Sequence, residues 1–167
     1  MRLTRNLLEM AGIGRDRLHL YWVSSAEAQR FAEIATLTTD SIRAQGAFDP
    51  AAYAMELAAV QSTLASETLR WMVGKQVHIT AKGDVYGRPW DPAGFESILD
   101  AALEREYHIS LILEALKEGC TAPRDIRRRI GLDLKRISYL LADMEKRSLV
   151  EFKGMEACKP IFAALSA

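Results

Sequence analysis

Three histidines, two cysteines and an adjacent pair of serines are the side chains in this 167-residue sequence that could do chemistry directly. A zinc site needs ligands at short, regular spacing. His19, His78 and His108 fall in three separate segments, none four residues from another and none near a cysteine, so no metal site is expected. Cys120 precedes a predicted helix start, a position that can activate a thiol, but a small residue filling a turn accounts for it equally well. Cys158 reads the same way in a predicted hairpin, and two cysteines make no disulfide framework. Ser24 and Ser25 have no base in sequence reach, and helix capping explains them. Gly83-x-x-x-Gly87 lacks the Lys-Ser/Thr that completes a phosphate loop. Trp22, Trp71 and Trp90 read as core and interface anchors. No catalytic constellation emerges, so the expectation is a protein that is not an enzyme and carries no cofactor.

Binding chemistry is better represented. Residues 121–153 hold nine Lys and Arg against five Asp and Glu. Arg127, Arg128, Lys135, Arg136 and Tyr139 are the candidate nucleic-acid contacts there, since such cations could neutralise phosphates. Asp125, Asp133, Asp143 and Glu145 interrupt that basic stretch, and the Asn, Gln and Ser/Thr cluster that often reads base edges is sparse.

These residues need elements to position them. Residues 3–12 predict a short helix with Leu3, Leu7 and Leu8 on one face, stopped by Gly12 and Gly14. Arg17 to Val23 is rich in β-formers and predicts a strand. Ser24 with Glu27 makes a capping-box pattern opening the next helix. Its apolar stripe runs Ala28, Phe31, Ala35, Thr38, Ile42, and Gly46 ends it. Asp49-Pro50 opens a longer helix carried by Tyr53, Leu57, Val60, Leu64, Thr68 and Trp71 as far as Gly74, about 35 Å at ~1.5 Å per residue. Gln76–Thr80 and Val85–Tyr86 predict two short strands around a turn at Lys82-Gly83-Asp84. Asp91-Pro92 opens another helix, with Phe95, Ile98, Leu99, Ala102 and Leu103 inward.

From Tyr107 the pattern tightens. One helix reaches Gly119. A second, which Thr121 could cap, carries Ile126 and Ile130 to Gly131. A third is capped by Asp133, with Leu134, Ile137, Leu141 and Met144 inward. Leu149 to Lys153, a turn at Gly154 and Pro160-Ile161-Phe162 complete a predicted β-hairpin. Three helices and a hairpin in this span predict a winged-helix arrangement. The fold class expected is mainly α (α+β), in three regions: a helix–strand–helix segment at 1–48, a helical linker at 49–106 and a winged helix at 107–167.

Composition bounds the rest. The chain is 49% apolar and 26% charged, with 22 basic and 22 acidic residues, so no overall charge draws it to nucleic acid or an anionic membrane. No apolar run approaches the ~18 residues of a membrane span. The basic start MRLTRNLLEMAG lacks the apolar core and cleavage site of a signal peptide. The expected setting is cytoplasmic.

The run RNLLEMAGIGRDRLHLYWVSSAEAQRFAEIATLTTDSIRAQG, with LLEMAGI, LHLYWVSSAE and RFAEIATLTTDSIRAQG as its distinctive parts, resembles the C-terminal end of the delta subunit of methyl-viologen-reducing hydrogenase. The remainder, through WMVGKQVHITAKGDVYG and the winged helix, is similar to C-terminal extensions of some members. That subunit is an iron–sulfur protein passing electrons into heterodisulfide reductase complexes. Its [2Fe-2S] cysteines lie upstream of the matching segment, and Cys120 and Cys158 correspond to none of them. The resemblance therefore implies membership of a redox complex without redox chemistry in these residues: a tail of such a subunit, acting as a non-catalytic docking module. Leu18, Leu20, Trp22 and Phe31, with Tyr21, would carry association. The alternative is a winged-helix transcription regulator bound to DNA. An unpaired strand at Arg17–Val23 also implies a homodimer built by strand pairing, or a partner subunit that supplies the missing edge.

Overall fold

The computed structural model describes residues 1–165 and divides into two units, Met1–Leu57 and a second beginning at Ala58. In the first, helix α1 (Arg2–Met10) buries Leu7 completely and ends two residues before Gly12, whose φ of 70° suits the stop. The expected strand at Arg17–Val23 is absent. Arg15–Arg17 form a 3₁₀ turn and the segment after it joins no sheet. The Leu18 carbonyl is taken by the Arg5 guanidinium at 2.9 Å instead. β-forming residues make a strand only where a ladder partner exists. The other two expected strands, Gln76–Thr80 and Val85–Tyr86, are not strands either.

Helix α2 (Ala28–Ala44) starts three residues later than the capping pattern predicts, with Glu27 rather than Ser24 at its N-cap and only half of the box formed. The Glu27 carboxylate accepts the Ser24 N–H at 2.8 Å and the Arg30 guanidinium at 3.0 Å. The Ser24 bond first, then Arg30, holds this exposed carboxyl below its usual range. At its other end α2 is clamped by Arg17, which donates to the carbonyls of Gln45 (3.0 Å) and Gly46 (3.4 Å), while Gln45 donates back to the Asp16 carbonyl.

The long helix expected over 49–74 is interrupted. Asp49 accepts the Ala51 N–H, a 3₁₀ turn covers Ala51–Tyr53, and α3 (Ala54–Ala65) follows. Ser66 takes an extended conformation before α4 (Glu67–Val77). Two buried polar contacts fix this break: the Thr63 hydroxyl lies 3.1 Å from that of Ser110, and Ser66 Oγ donates to Glu106 at 2.8 Å. Gly74 does not stop α4. The helix runs on into a π-helical turn, His78–Lys82, in place of the first short strand. Residues 83–90 are a loop organised by Asp84, which accepts the Tyr86 and Arg88 N–H groups and the Arg88 guanidinium. Arg88, through its backbone and then its side chain, holds the Asp84 carboxyl below its usual range. Gly83 (φ 90°) is required there, because a Cβ would lie 2.7 Å from the Arg88 carbonyl carbon.

Asp91 and Pro92 open α5 (Pro92–Lys117) as expected, the Asp91 carboxylate accepting the Gly94 N–H at 2.8 Å. The two helices expected on either side of Tyr107 are this one helix, since no breaker separates Phe95 from Lys117. Helix α6 (Pro123–Ile130) starts after Ala122 rather than Thr121, set by Pro123. The Thr121 carbonyl instead accepts the Phe162 N–H. Gly131, left-handed at φ 74°, turns the chain into α7 (Leu134–Lys146), and Asp133 caps it through the Lys135 and Arg136 N–H groups. Strands β1 (Val150–Glu156) and β2 (Lys159–Ala164) pair antiparallel. Their turn is Ala157-Cys158, both at positive φ, and not Gly154. Gly154 sits inside β1 at a register irregularity, a bulge that uses its φ of 121°. The core of this region gathers Ile109, Ile112, Leu116, Ile126, Ile137, Leu140, Leu141, Met144 and Val150. The chain is thus mainly α, with one small sheet among the described residues.

Candidate functional site

Two surfaces stand out, one in each unit. In the first unit, α2 spans 17 residues and buries none of them. A helix of that length in a water-soluble fold ordinarily turns an apolar stripe to a core. Here Phe31 is 64% exposed and Leu37 67%, and Trp22, in the segment leading to the helix, is 84% exposed. Leu20 and Tyr21 are also exposed, while Leu18 is half-buried. His19 stacks near Tyr21, with ring centroids 6.1 Å apart, and its Nε2 is shielded from water without a hydrogen-bond partner. Unsatisfied buried nitrogen and unburied indole in one segment are each costly in water. Of the five association residues expected from sequence, Leu20, Tyr21, Trp22 and Phe31 are exposed and Leu18 is partly covered. Leu37 was missed because Thr38, its neighbour, fits the assumed stripe better.

The expected role of the tryptophans as core anchors does not hold, because none is buried. Trp22 and Trp71 face outward, and Trp90 packs edge-on against Phe95 at 6.4 Å.

In the second unit the basic residues separate into two groups. Arg128 pairs with Asp125, and Arg129 grips Glu118 through two nitrogens at 2.7 and 3.1 Å. Arg147 reaches Glu106 and Asp143, and Arg105 also binds Asp143. Arg127, Lys135 and Tyr139 stay exposed and Arg136 is half-buried. Arg136 lies near His108, whose imidazole is only 14% exposed. Burial first, and Arg136 last, push the His108 pKa down from 6.5, against the pull of Glu104 at 3.8 Å. His78 is exposed on the π-helical turn.

An iron–sulfur centre does not fit these residues. A [2Fe-2S] cluster takes four cysteines. Cys120 packs against the apolar core of α5–α7 and Cys158 is exposed at the hairpin turn. Among the described residues no group of three or more His, Cys, Asp or Glu is placed to hold a metal ion, and no helix is long and apolar enough to cross a membrane.

The class these features define is a mainly α chain with exposed large apolar side chains on α2 and the segment before it. Residues 1–46, the segment that contains the unburied α2, match the family model of the methyl-viologen-reducing hydrogenase delta subunit. This portion of the chain resembles that subunit. No solved structure matches the chain.

Proposed function

We infer that this chain is a non-catalytic docking module of a heterodisulfide-reductase-type electron-transfer complex, acting through protein–protein association. The observation that carries the reading is α2, a 17-residue helix with no buried residue, inside the segment that matches the hydrogenase delta subunit. In such a complex its apolar side chains, with Trp22 and Leu20, would be covered by a partner subunit. The partner would also satisfy His19 Nε2. In this reading the electrons pass through cofactors held by other subunits, and the chain contributes position. Residues 107–167 serve as a winged-helix module appended to the docking segment.

Co-expression with the iron–sulfur and flavin subunits of such a complex tests the proposal. The expected result is stoichiometric co-elution on size exclusion, lost when Trp22→Asp and Phe31→Asp are combined. Separate elution of the wild-type chain from those subunits would overturn it. Colourless protein after anaerobic purification with iron and sulfide is the companion expectation, and a stoichiometric cluster absorbance lost on Cys120→Ser would contradict it.

A further inference from the structure

The geometry points to a second binding surface, for duplex DNA, on the outward face of α7 together with the start of α6 and the hairpin tip. This proposal does not rest on the docking reading above.

Along α7, Lys135, Ser138, Tyr139, Ala142 and Lys146 recur at three- and four-residue spacing and are all exposed. Ile137, Leu140, Leu141 and Met144 turn the opposite way into the core. Tyr139, a large aromatic, is 65% exposed. A cleft brings Arg124 of α6, Ser138 of α7 and Lys159 at the hairpin tip together, over Leu134 and Pro160. Three elements that are separate in sequence therefore border one surface.

The charge of that surface follows from where the acids go. Asp125 pairs with Arg128, Asp143 with Arg105 and Arg147, and Glu151 with Lys153. Asp133 is held by the first N–H groups of its own helix. Three of the four acids that interrupt the basic stretch in the sequence, Asp125, Asp133 and Asp143, are therefore engaged, and the fourth, Glu145, is not. Glu145 and Glu156 remain exposed, with no ion pair among the described residues. Arg124, Lys135, Lys146 and Lys159 enter no ion pair within the described residues.

The layout matches a duplex. The middle of the stripe is uncharged (Ser138, Tyr139, Ala142) and cations flank it at both ends and along one side. In B-DNA, base edges on a groove floor are likewise flanked by phosphates. A helix about 10–12 Å across fits a major groove about 12 Å wide. The deep, narrow major groove of duplex RNA does not admit one.

The test is fluorescence anisotropy of the full chain with a random duplex of about 20 base pairs, roughly two helical turns, across a salt series. Each phosphate contact contributes about −0.9 to the slope of log K against log salt, so four cations give a slope of about −3 to −4. Lys135→Ala and Lys146→Ala should each weaken binding and flatten the slope by about one. Arg129→Ala, at a guanidinium already gripped by Glu118, should leave the slope unchanged. Tyr139→Ala should weaken binding at unchanged slope. Circular dichroism checks that each variant is folded. The proposal is overturned by any of three results: no anisotropy change at low salt, a slope indifferent to Lys135 and Lys146, or duplex RNA of the same length binding equally well with the same variant sensitivity.

Discussion

Trp22→Ala separates a docking role from a structural one by magnitude. Trp22 is 84% exposed. An indole side chain carries roughly 250 Å² of surface, so about 40 Å² of it is covered, and at about 25 cal/mol per Å² its removal costs about 1 kcal/mol of stability. Against a partner the same side chain has about 210 Å² left to bury, a ceiling of about 5 kcal/mol. Measured truncations of central aromatic anchors fall at about 2–4 kcal/mol, which is about 30- to 700-fold in affinity. Urea unfolding of the isolated chain reads the first quantity, and calorimetric titration into the reductase subunits reads the second. The expected pair is a small shift in stability and a large loss of affinity. Two results would refute the reasoning: a stability loss above about 2 kcal/mol, which would place the indole in a core, or an affinity within about threefold of wild type, roughly 0.7 kcal/mol.

Asp133→Ala should cost about 1 kcal/mol in urea unfolding through loss of the α7 cap, while Asp133→Asn should stay within a few tenths. Leu140→Ala, at a fully buried site, should cost about 2–5 kcal/mol, whereas Leu37→Ala on exposed α2 should change stability by less than about 0.5 kcal/mol. His108 has a folded-state pKa below its unfolded value of 6.5. The unfolded chain therefore takes up the proton first, and this contribution to stability, complete above pH 6.5, is lost as pH falls toward the depressed value. His108→Gln should flatten the fall in urea midpoint between neutral and mildly acidic pH, and an unchanged fall would dismiss His108 as its source.

Much of the second unit was legible because its signals are local. Asp91-Pro92, Gly131 and Asp133 act within four residues of themselves, and each does in the fold what its type dictates. The inward positions Ile126, Ile137, Leu141 and Met144 follow from helical spacing alone. The failures are non-local. Arg17–Val23 has strand composition, but a strand is a property of two segments, and among the described residues no second one pairs with it. The break at Ser66 depends on Ser110 and Glu106, forty or more residues away. Glycine signals turns, which points to Gly154 for the hairpin, yet the register puts that glycine in a bulge and places Ala157 and Cys158 in left-handed conformations at the turn. For the candidate sites, spacing from Lys135 could have found Lys146. Arg124 and Lys159 become neighbours of α7 only once the hairpin is folded, and no sequence pattern shows which acids are already engaged.

The unbroken course of α5 has a consequence for how the second unit loses its structure. This helix packs against α4, α6, α7 and β2. A helix transmits order along its hydrogen bonds, so melting one end removes the template for the other. Amide hydrogen exchange along the middle of α5, around Leu103 to Ile112, should therefore report a single opening free energy shared with α4 and α7, with no separable sub-domain. The exposed α2, lacking any such scaffold, should exchange far faster and independently of it.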